Sequence, residues 1–511
     1  MKKILNVIFG LSLLMAGCSD GQEYVNALPK NAAVVASVDL DAIVGKSGIN
    51  KANNASQKKE LKQLVKGAVN GAAEWVDALF EDAGESGIDF GKDVYCFAGS
   101  GMANYGFVAK IKDSDRLEDL LKALGEQGIC SSVEDTDGGR YVVAANWLLA
   151  FSDKAVVVMT DAKDTDARKL VRRASMMLRQ EEGEGFSATS DFTAMCEVKS
   201  DINLWLTLEM LPREIFNPMT MGATADMDLK DVKGIAHINF ESGKTVVNFK
   251  MESKDSYISS LIGKAEQSTG DIAGRLAVDF PANTPVWLNS SLNGKELYDM
   301  IQSIPMGRRY FEKSMLPLDF KQIFGSMKGD CALAITNVQR KYFILVSEVK
   351  DKAFMKSFEG LKPLMKLTNG QAVLNTVGED EYEFITTNAS LVGLGVGPAA
   401  YWFGVKGDKF YLTNDRSLVN RRVLGLSMAD RPFSKEINGN QFYMSVNMEA
   451  MKTERMEAAF MQLLDQRMQL LFGGLNYMTI SVGQKEGNKI EFVMKDKNKN
   501  MIEQLLMSVG S

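Results

Sequence analysis

The spacing of apolar residues along this chain changes period repeatedly. Residues 33–40, AVVASVDL, form an apolar run of strand length. From Lys58 to Phe80 the period becomes helical, with Leu61, Leu64, Val65, Ala68, Ala72, Trp75, Val76 and Leu79 on one stripe. Strand patterns follow near 94–99, 104–111, 141–151 and 155–160, interrupted by a helix around 114–124 and closed by another near 165–179. INLWLTLEM (202–210) and two segments flanking the Ser242-Gly243 turn return to alternation. Strands joined by short turns, with few interposed helices, predict an α+β fold of mainly antiparallel sheets with helices packed on one face.

The pattern then starts again. LPKNAAVVASVDLDAI (28–43) is echoed by FPANTPVWLNSSLNGKEL (280–297), with Pro29 and Pro281, Asn31 and Asn283, Val34 and Val286 in step. GIDFGKDVYCFA (87–98) is answered by PLDFKQIFGSMKGDCALA (317–334), and FVAKIKDSDRLEDLL (107–121) by LVSEVKDKAFMKSFE (345–359). AFSDKAVVVMTD (150–161) has its match in VKGDKFYLTND (405–415), and the basic KLVRRA (169–174) in SLVNRRV (417–423). LWLTLEM (204–210) matches FYMSVNM (442–448), and residues 240–262 match 484–506. Matches in one order predict a tandem duplication of a unit of roughly 240 residues, over 28–275 and 276–511, rather than one fold with repetitive strand chemistry.

The halves differ at one place. Residues 209–231, interrupted by Pro212 and Pro218, read as an irregular loop. Their counterpart, 448–474, reads as a core-packing amphipathic helix, with Met456, Phe460, Leu463, Leu464, Met468 and Leu471 at helical spacing and Gly473 as its stop.

The first residues change the picture of where the protein resides. Lys2 and Lys3 precede the apolar run 4–16, too short to span a bilayer and suited to a signal-peptide core. Ala16 and Gly17 stand directly before Cys18, the arrangement of a bacterial lipobox, with Met15 where Leu is commonest. Residues 1–17 are therefore expected to be a lipoprotein signal peptide, Cys18 the lipid-attachment site, and 18–27 a short tether of at most ~40 Å. Ser19 does not resemble an inner-membrane retention signal, and Asp20 and Glu23 faintly resemble an acidic surface-export tag. The expected location is the outer membrane, facing the periplasm or the surface. The expected partners are the lipid bilayer and an unidentified ligand or protein.

Composition and motifs exclude much chemistry. The net charge is −6, with Lys and Arg spread along the chain, so nucleic acid is not an expected partner. The 29 methionines fit irregular core packing. His237 is the only histidine, which removes His-pair metalloprotease motifs, and it reads as a structural residue. Gly45-Lys46-Ser47 and Gly243-Lys244-Thr245 lack the earlier glycine of a phosphate loop. Gly393, Gly395 and Gly397 are followed by Pro398 where a dinucleotide-binding helix would begin. Ser56-x-x-Lys59 has no accompanying Ser-Asp-Asn, and Asp226-x-Asp228 lacks the closing Glu of a calcium loop. The acidic runs EEGEG (181–185) and GEDEYE (378–383) read as solvated loops. Cys96 and Cys331 lie on matching strands and are expected to pack as small buried residues; a Cys96–Cys130 disulfide remains open. No catalytic, metal or cofactor residue is assigned, and no cofactor is expected.

The lipobox start, the Pro-x-Asn-Ala opening with VVASVDLDAIVGKSG, and a chain of about five hundred residues in two halves resemble an uncharacterised Bacteroidota lipoprotein family, a domain-of-unknown-function family. The resemblance implies an envelope location and brings no catalytic residues. The functional expectation is a non-enzymatic envelope lipoprotein that binds a ligand or partner in the groove between its halves, with Trp205 and Trp402 as candidate lining aromatics. The alternative is a hydrolase of envelope or extracellular polymers using carboxylates brought together by folding.

Overall fold

A computed structural model describes residues 23–68, 83–100, 104–161, 166–210, 229–312, 318–389, 397–420, 423, 425–451, 473–483 and 487–507. Cys18, most of the 58–80 stripe beyond Ala68, the 211–228 segment, Gly393 and Gly395, and residues 452–472 of the expected amphipathic helix lie outside them. The chain divides into two compact units. The described residues up to Met210, with 229–242 and 499–507, form unit 1, and those within 243–498 form unit 2.

Unit 1 contains β1 (Val34–Val38), β2 (Val94–Ala98), β3 (Asn104–Lys110), β4 (Glu134–Thr136), β5 (Gly139–Ala144), β6 (Trp147–Phe151), β7 (Ala155–Asp161), β8 (Ile202–Thr207) and β9 (Val232–Glu241). Their order is β4-β5-β6-β7-β3-β2-β1-β8-β9, and every neighbouring pair is antiparallel. The sheet is accompanied by α1 (Leu40–Ser47), α2 (Ala55–Ala68), α3 (Ser114–Glu126), α4 (Ala167–Leu178) and α5 (Ser190–Met195). An α+β fold with an antiparallel sheet is therefore present.

Helices packed on one face, however, is not what unit 1 shows. Leu170, Ala174 and Met177 of α4 pack with Val157, Met159, Leu148 and Trp205 on one side of the sheet. Leu117, Leu120 and Leu121 of α3 pack with Val156, Phe151 and Val142 on the other. Neighbouring residues of β7 thus point into two different cores. Its unbroken apolar run, AVVVM, is the pattern of a strand covered on both faces.

Unit 2 contains β10 (Lys244–Ser253), β11 (Thr269–Gly270), β12 (Val286–Asn293), β13 (Met327–Asn337), β14 (Tyr342–Val349), β15 (Ala372–Gly378), β16 (Glu381–Thr386), β17 (Ala399–Lys406), β18 (Lys409–Thr413), β19 (Phe442–Asn447), β20 (Leu475–Gly483) and β21 (Gly487–Met494). The order runs β15-β16-β17-β18-β14-β13-β12-β19-β20, the same succession as in unit 1, and continues through β21 to β10. The short β11 pairs with the end of β12. One core gathers Phe280, Trp287, Met428, Phe433 and Tyr443, and the other Phe354, Met355, Leu374, Phe403 and Phe410.

Bulk is exchanged between strands in the two units. Trp205 of β8 stands opposite Val35 of β1, whereas Trp287 of β12 stands opposite Ser445 of β19. Each pair holds one large and one small side chain, which keeps the filled volume similar. This register also sets Trp205 level with Ser445, two residues from the sequence match of 204–210 with 442–448. A two-residue shift preserves the face.

The main stretch of unit 2 runs from Gly243 to Asn498. β10 pairs with β21 from Lys244↔Val493 to Phe249↔Asn488, and the following helix α6 (Ser256–Ser268), capped by Asp255, packs on α7 (Gly294–Ser303). The C-terminal helix Met501–Met507 belongs instead to unit 1, where Asn500 Nδ2 donates to the Lys46 carbonyl at 2.7 Å and Lys51 Nζ meets Glu503 Oε1 at 3.1 Å. Among the described residues no helix is long and apolar enough to cross a membrane.

Candidate functional site

The segment that leads into β1 builds one wall of a cleft in unit 1. A 3-10 turn, Glu23–Ala27, buries Tyr24, Val25 and Ala27, and Leu28 is fully enclosed. The chain then turns, Ala32 N–H donating to the Pro29 carbonyl at 3.1 Å, before Ala33 N–H joins Ala98 O at 2.8 Å and β1 begins. A buried anchor followed by a proline turn leaves Pro29, Lys30 and Asn31 along the rim.

The opposite wall is α4. Asp166 caps it, its side chain accepting from Arg168 N–H. Leu170, Ala174 and Met177, spaced by four and three residues, are buried against the sheet. The same spacing turns Arg172, Arg173, Met176 and Arg179 outward. These line the cleft together with Lys169 and the turn 180–184, and the floor is made by Phe97, Gly99, Ser100 and Asn104. The cleft encloses about 1390 Å³.

Its electrostatics run against those of the whole molecule. Five cations, Lys30, Lys169, Arg172, Arg173 and Arg179, face it with two carboxylates, Glu181 and Glu184. Arg173 is held by Asp161 at 3.1 Å and Arg179 by Asp137, which fixes two of the heads. Lys30 and Arg172 are exposed and make no ion pair among the described residues. Glu184 is committed to its own turn, its carboxylate accepting from Glu181 N–H at 3.0 Å. Gln180 contributes a buried side-chain oxygen with no hydrogen-bond partner among the described residues. Met176 is 58% exposed.

Unit 2 has a smaller cavity, about 420 Å³, lined by Pro281, Asn283, Thr284 and Pro285 with Asn447 and Glu449. The Pro-x-Asn opening therefore lines a cavity in each unit. The walls differ: Glu449 here is paired with Lys495 at 2.6 Å, and among the described residues no cation lines the space.

Other sequence candidates fall elsewhere. His237 Nδ1 lies 2.7 Å from Asn203 Oδ1, and Asn203 Nδ2 donates to Ser37 Oγ at 3.2 Å, a structural polar chain across β9, β8 and β1. Gly45-Lys46-Ser47 ends α1, with Lys46 Nζ on Asp201 at 2.6 Å and Ser47 Oγ donating to Val44 O. Gly243 is the hairpin turn, at φ +73°. In GEDEYE, Asp380 pairs with Lys352 at 2.6 Å, Tyr411 OH donates to Glu381 and Trp402 Nε1 to Glu383. Among the described residues no cluster of His, Cys, Asp and Glu is arranged to hold a metal ion.

Two expectations are corrected. Cys96 is exposed rather than buried, because it faces outward opposite Ala36. The Cys96–Cys130 pairing that the sequence left open is not formed, and both are free thiols. Trp205 is 4% exposed, its ring tilted against Phe186 at a centroid distance of 4.8 Å, so it belongs to the core. Cys331 is half-buried, and burial raises its thiol to about 11.

The basic run KLVRRA was visible in the sequence, but only the fold shows that its arginines face a cleft. Nothing in the sequence spacing placed Lys30 or Gln180 beside them.

Comparison with known proteins adds a family and little else. A search of curated proteins found no match. Among solved structures, crystal form I of TP0453 is similar at 8% identity and TM-score 0.25, covering 49% of this chain and 88% of that one. Crystal form III gives 11% identity and TM-score 0.26, over 47% and 86%. Crystal form IV gives 10% and 0.27, over 45% and 80%. A family model described as a domain of unknown function (DUF4836) matches residues 24–502, and the chain belongs to that family.

Proposed function

We propose that this chain is a cell-envelope lipoprotein of Bacteroidota, tethered to the outer membrane through acylated Cys18, that holds a ligand in the cleft of unit 1 without transforming it. The observation that carries this reading is the cleft itself. Its walls offer cations, amides and apolar surface, the makings of recognition. Tyr24, Val25 and Ala27, expected in the tether, are instead buried in unit 1, so residues 18–22 alone would serve as a still shorter tether that keeps the cleft close to the membrane.

The same reading includes a tandem duplication. It is supported by the identical succession of nine strands in each unit and by the Pro-x-Asn opening lining a cavity in both. After copying, one cavity kept or gained positive charge and the other became small and neutral-to-acidic.

Native mass spectrometry of the full chain extracted from the membranes of the cells that make it tests the proposal. The wild-type protein is expected to carry a diacyl or triacyl mass on Cys18 and a co-purifying ligand that Met176→Glu removes. Loss of membrane association in Cys18→Ala is expected in parallel. A co-purifying ligand unaffected by Met176→Glu would overturn the cleft assignment. Turnover of an envelope polymer abolished by Glu181→Gln would replace binding with hydrolysis.

A further inference from the structure

We infer that the ligand of the unit 1 cleft is an acidic oligosaccharide, a chain of hydroxylated units bearing several carboxylate or phosphate groups; the inference rests on the cleft being the binding site. The charge pattern comes first. A molecule of net charge −6 concentrates five cations on one concave surface, which focuses its field on anions. Lys30 and Arg172 come from different elements, the turn before β1 and α4, and neither is neutralised by an ion pair among the described residues. Charges presented from separate walls match a ligand with more than one anionic group.

The second observation points to hydroxyls. The amides of Asn31 and Asn104 line the cleft, and an amide oxygen there takes a donor as readily as its nitrogen gives one. A bare polyanion supplies acceptors alone, whereas a sugar hydroxyl donates. Exposed Met176 and half-buried Pro29 offer apolar surface to the C–H faces of sugar rings. The volume of about 1390 Å³ lies above the ~300–1000 Å³ of ordinary small-molecule pockets, so several units fit. Single-stranded nucleic acid is also hydroxylated and anionic, but it is gripped by aromatic stacking, and Phe97, the aromatic of this cleft, is only 3% exposed.

Titration calorimetry on the full chain at low salt decides the matter, using oligogalacturonate, phosphorylated dextran, neutral dextran and oligouridylate as probes. One or both acidic saccharides are expected to bind, and their ratio tells carboxylate from phosphate. The Lys30→Gln/Arg172→Gln double variant should weaken that binding about tenfold or more, and 0.5 M salt should weaken it further. Asn31→Leu should weaken it severalfold, and Lys435→Gln, in unit 2, should leave it unchanged. Equal or tighter binding of neutral dextran or oligouridylate, still weakened by Met176→Glu, overturns the acidic saccharide and leaves the cleft in place. Acidic binding undiminished in the double variant overturns both. If no saccharide binds, the inference falls, and the co-purifying ligand alone decides the cleft.

Discussion

Asn203 joins two side chains that depend on it. Its amide donates to Ser37, 1% exposed, and its oxygen meets His237. Asn203→Ala removes one hydrogen bond from each of them inside unit 1, and should cost about 1–3 kcal/mol in urea unfolding. Gly106 is a second such residue: a Cβ there would stand 2.1 Å from the Val158 carbonyl oxygen of the paired strand. Gly106→Ala is expected to destabilise by about 1–3 kcal/mol, read in the same experiment. At Cys331 burial raises the thiol to about 11, so little thiolate exists at pH 8. Iodoacetamide should modify it at least tenfold faster in urea than in the native chain; equal rates would contradict its burial. Sequence reading identified His237 as structural because it was solitary, but could not find Asn203, whose role exists only once β8 lies between β1 and β9.

Helix starts were written in the sequence more plainly than helix faces. Asp39, Asp113, Asp166 and Asp255 each accept a hydrogen bond from a first-turn N–H of α1, α3, α4 and α6. Asp255→Ala is expected to lower stability by about 1 kcal/mol. Asp430 closes a capping box with Ser427, whose backbone N–H and hydroxyl donate at 2.7 and 2.9 Å and hold its carboxyl below the usual value of 3.8. A lowered pKa contributes stability that is present above 3.8 and lost as pH falls through the folded value. The stability difference between wild type and Asp430→Asn should therefore be constant above pH ~5 and vanish in strong acid. A difference that persists there would deny the linkage. The element that misled was β7: periodicity alone gives strand, and the choice between one covered face and two depends on α3 and α4 arriving from opposite sides.

At the scale of the whole molecule, the echo of 28–43 in 280–297 led to the strand that lies centrally in each sheet, β1 and β12. The compact boundaries were not legible, because a sequence echo shows which segments look alike, whereas compactness depends on which segments touch. β10 and α6 complete unit 2, and residues 499–507 complete unit 1. Deleting 499–511 removes the partners of Lys46 and Lys51, and is expected to lower the thermal midpoint of unit 1 and speed hydrogen exchange in α1. The cleft was half legible: the basic run and the opening motif stood out separately, and tertiary structure alone brings them face to face. The most direct measurement is hydrogen-exchange mass spectrometry of the full chain with and without oligogalacturonate. The account predicts added protection confined to residues 29–32 and 166–184 of unit 1; protection absent there, or appearing only in unit 2, would contradict it.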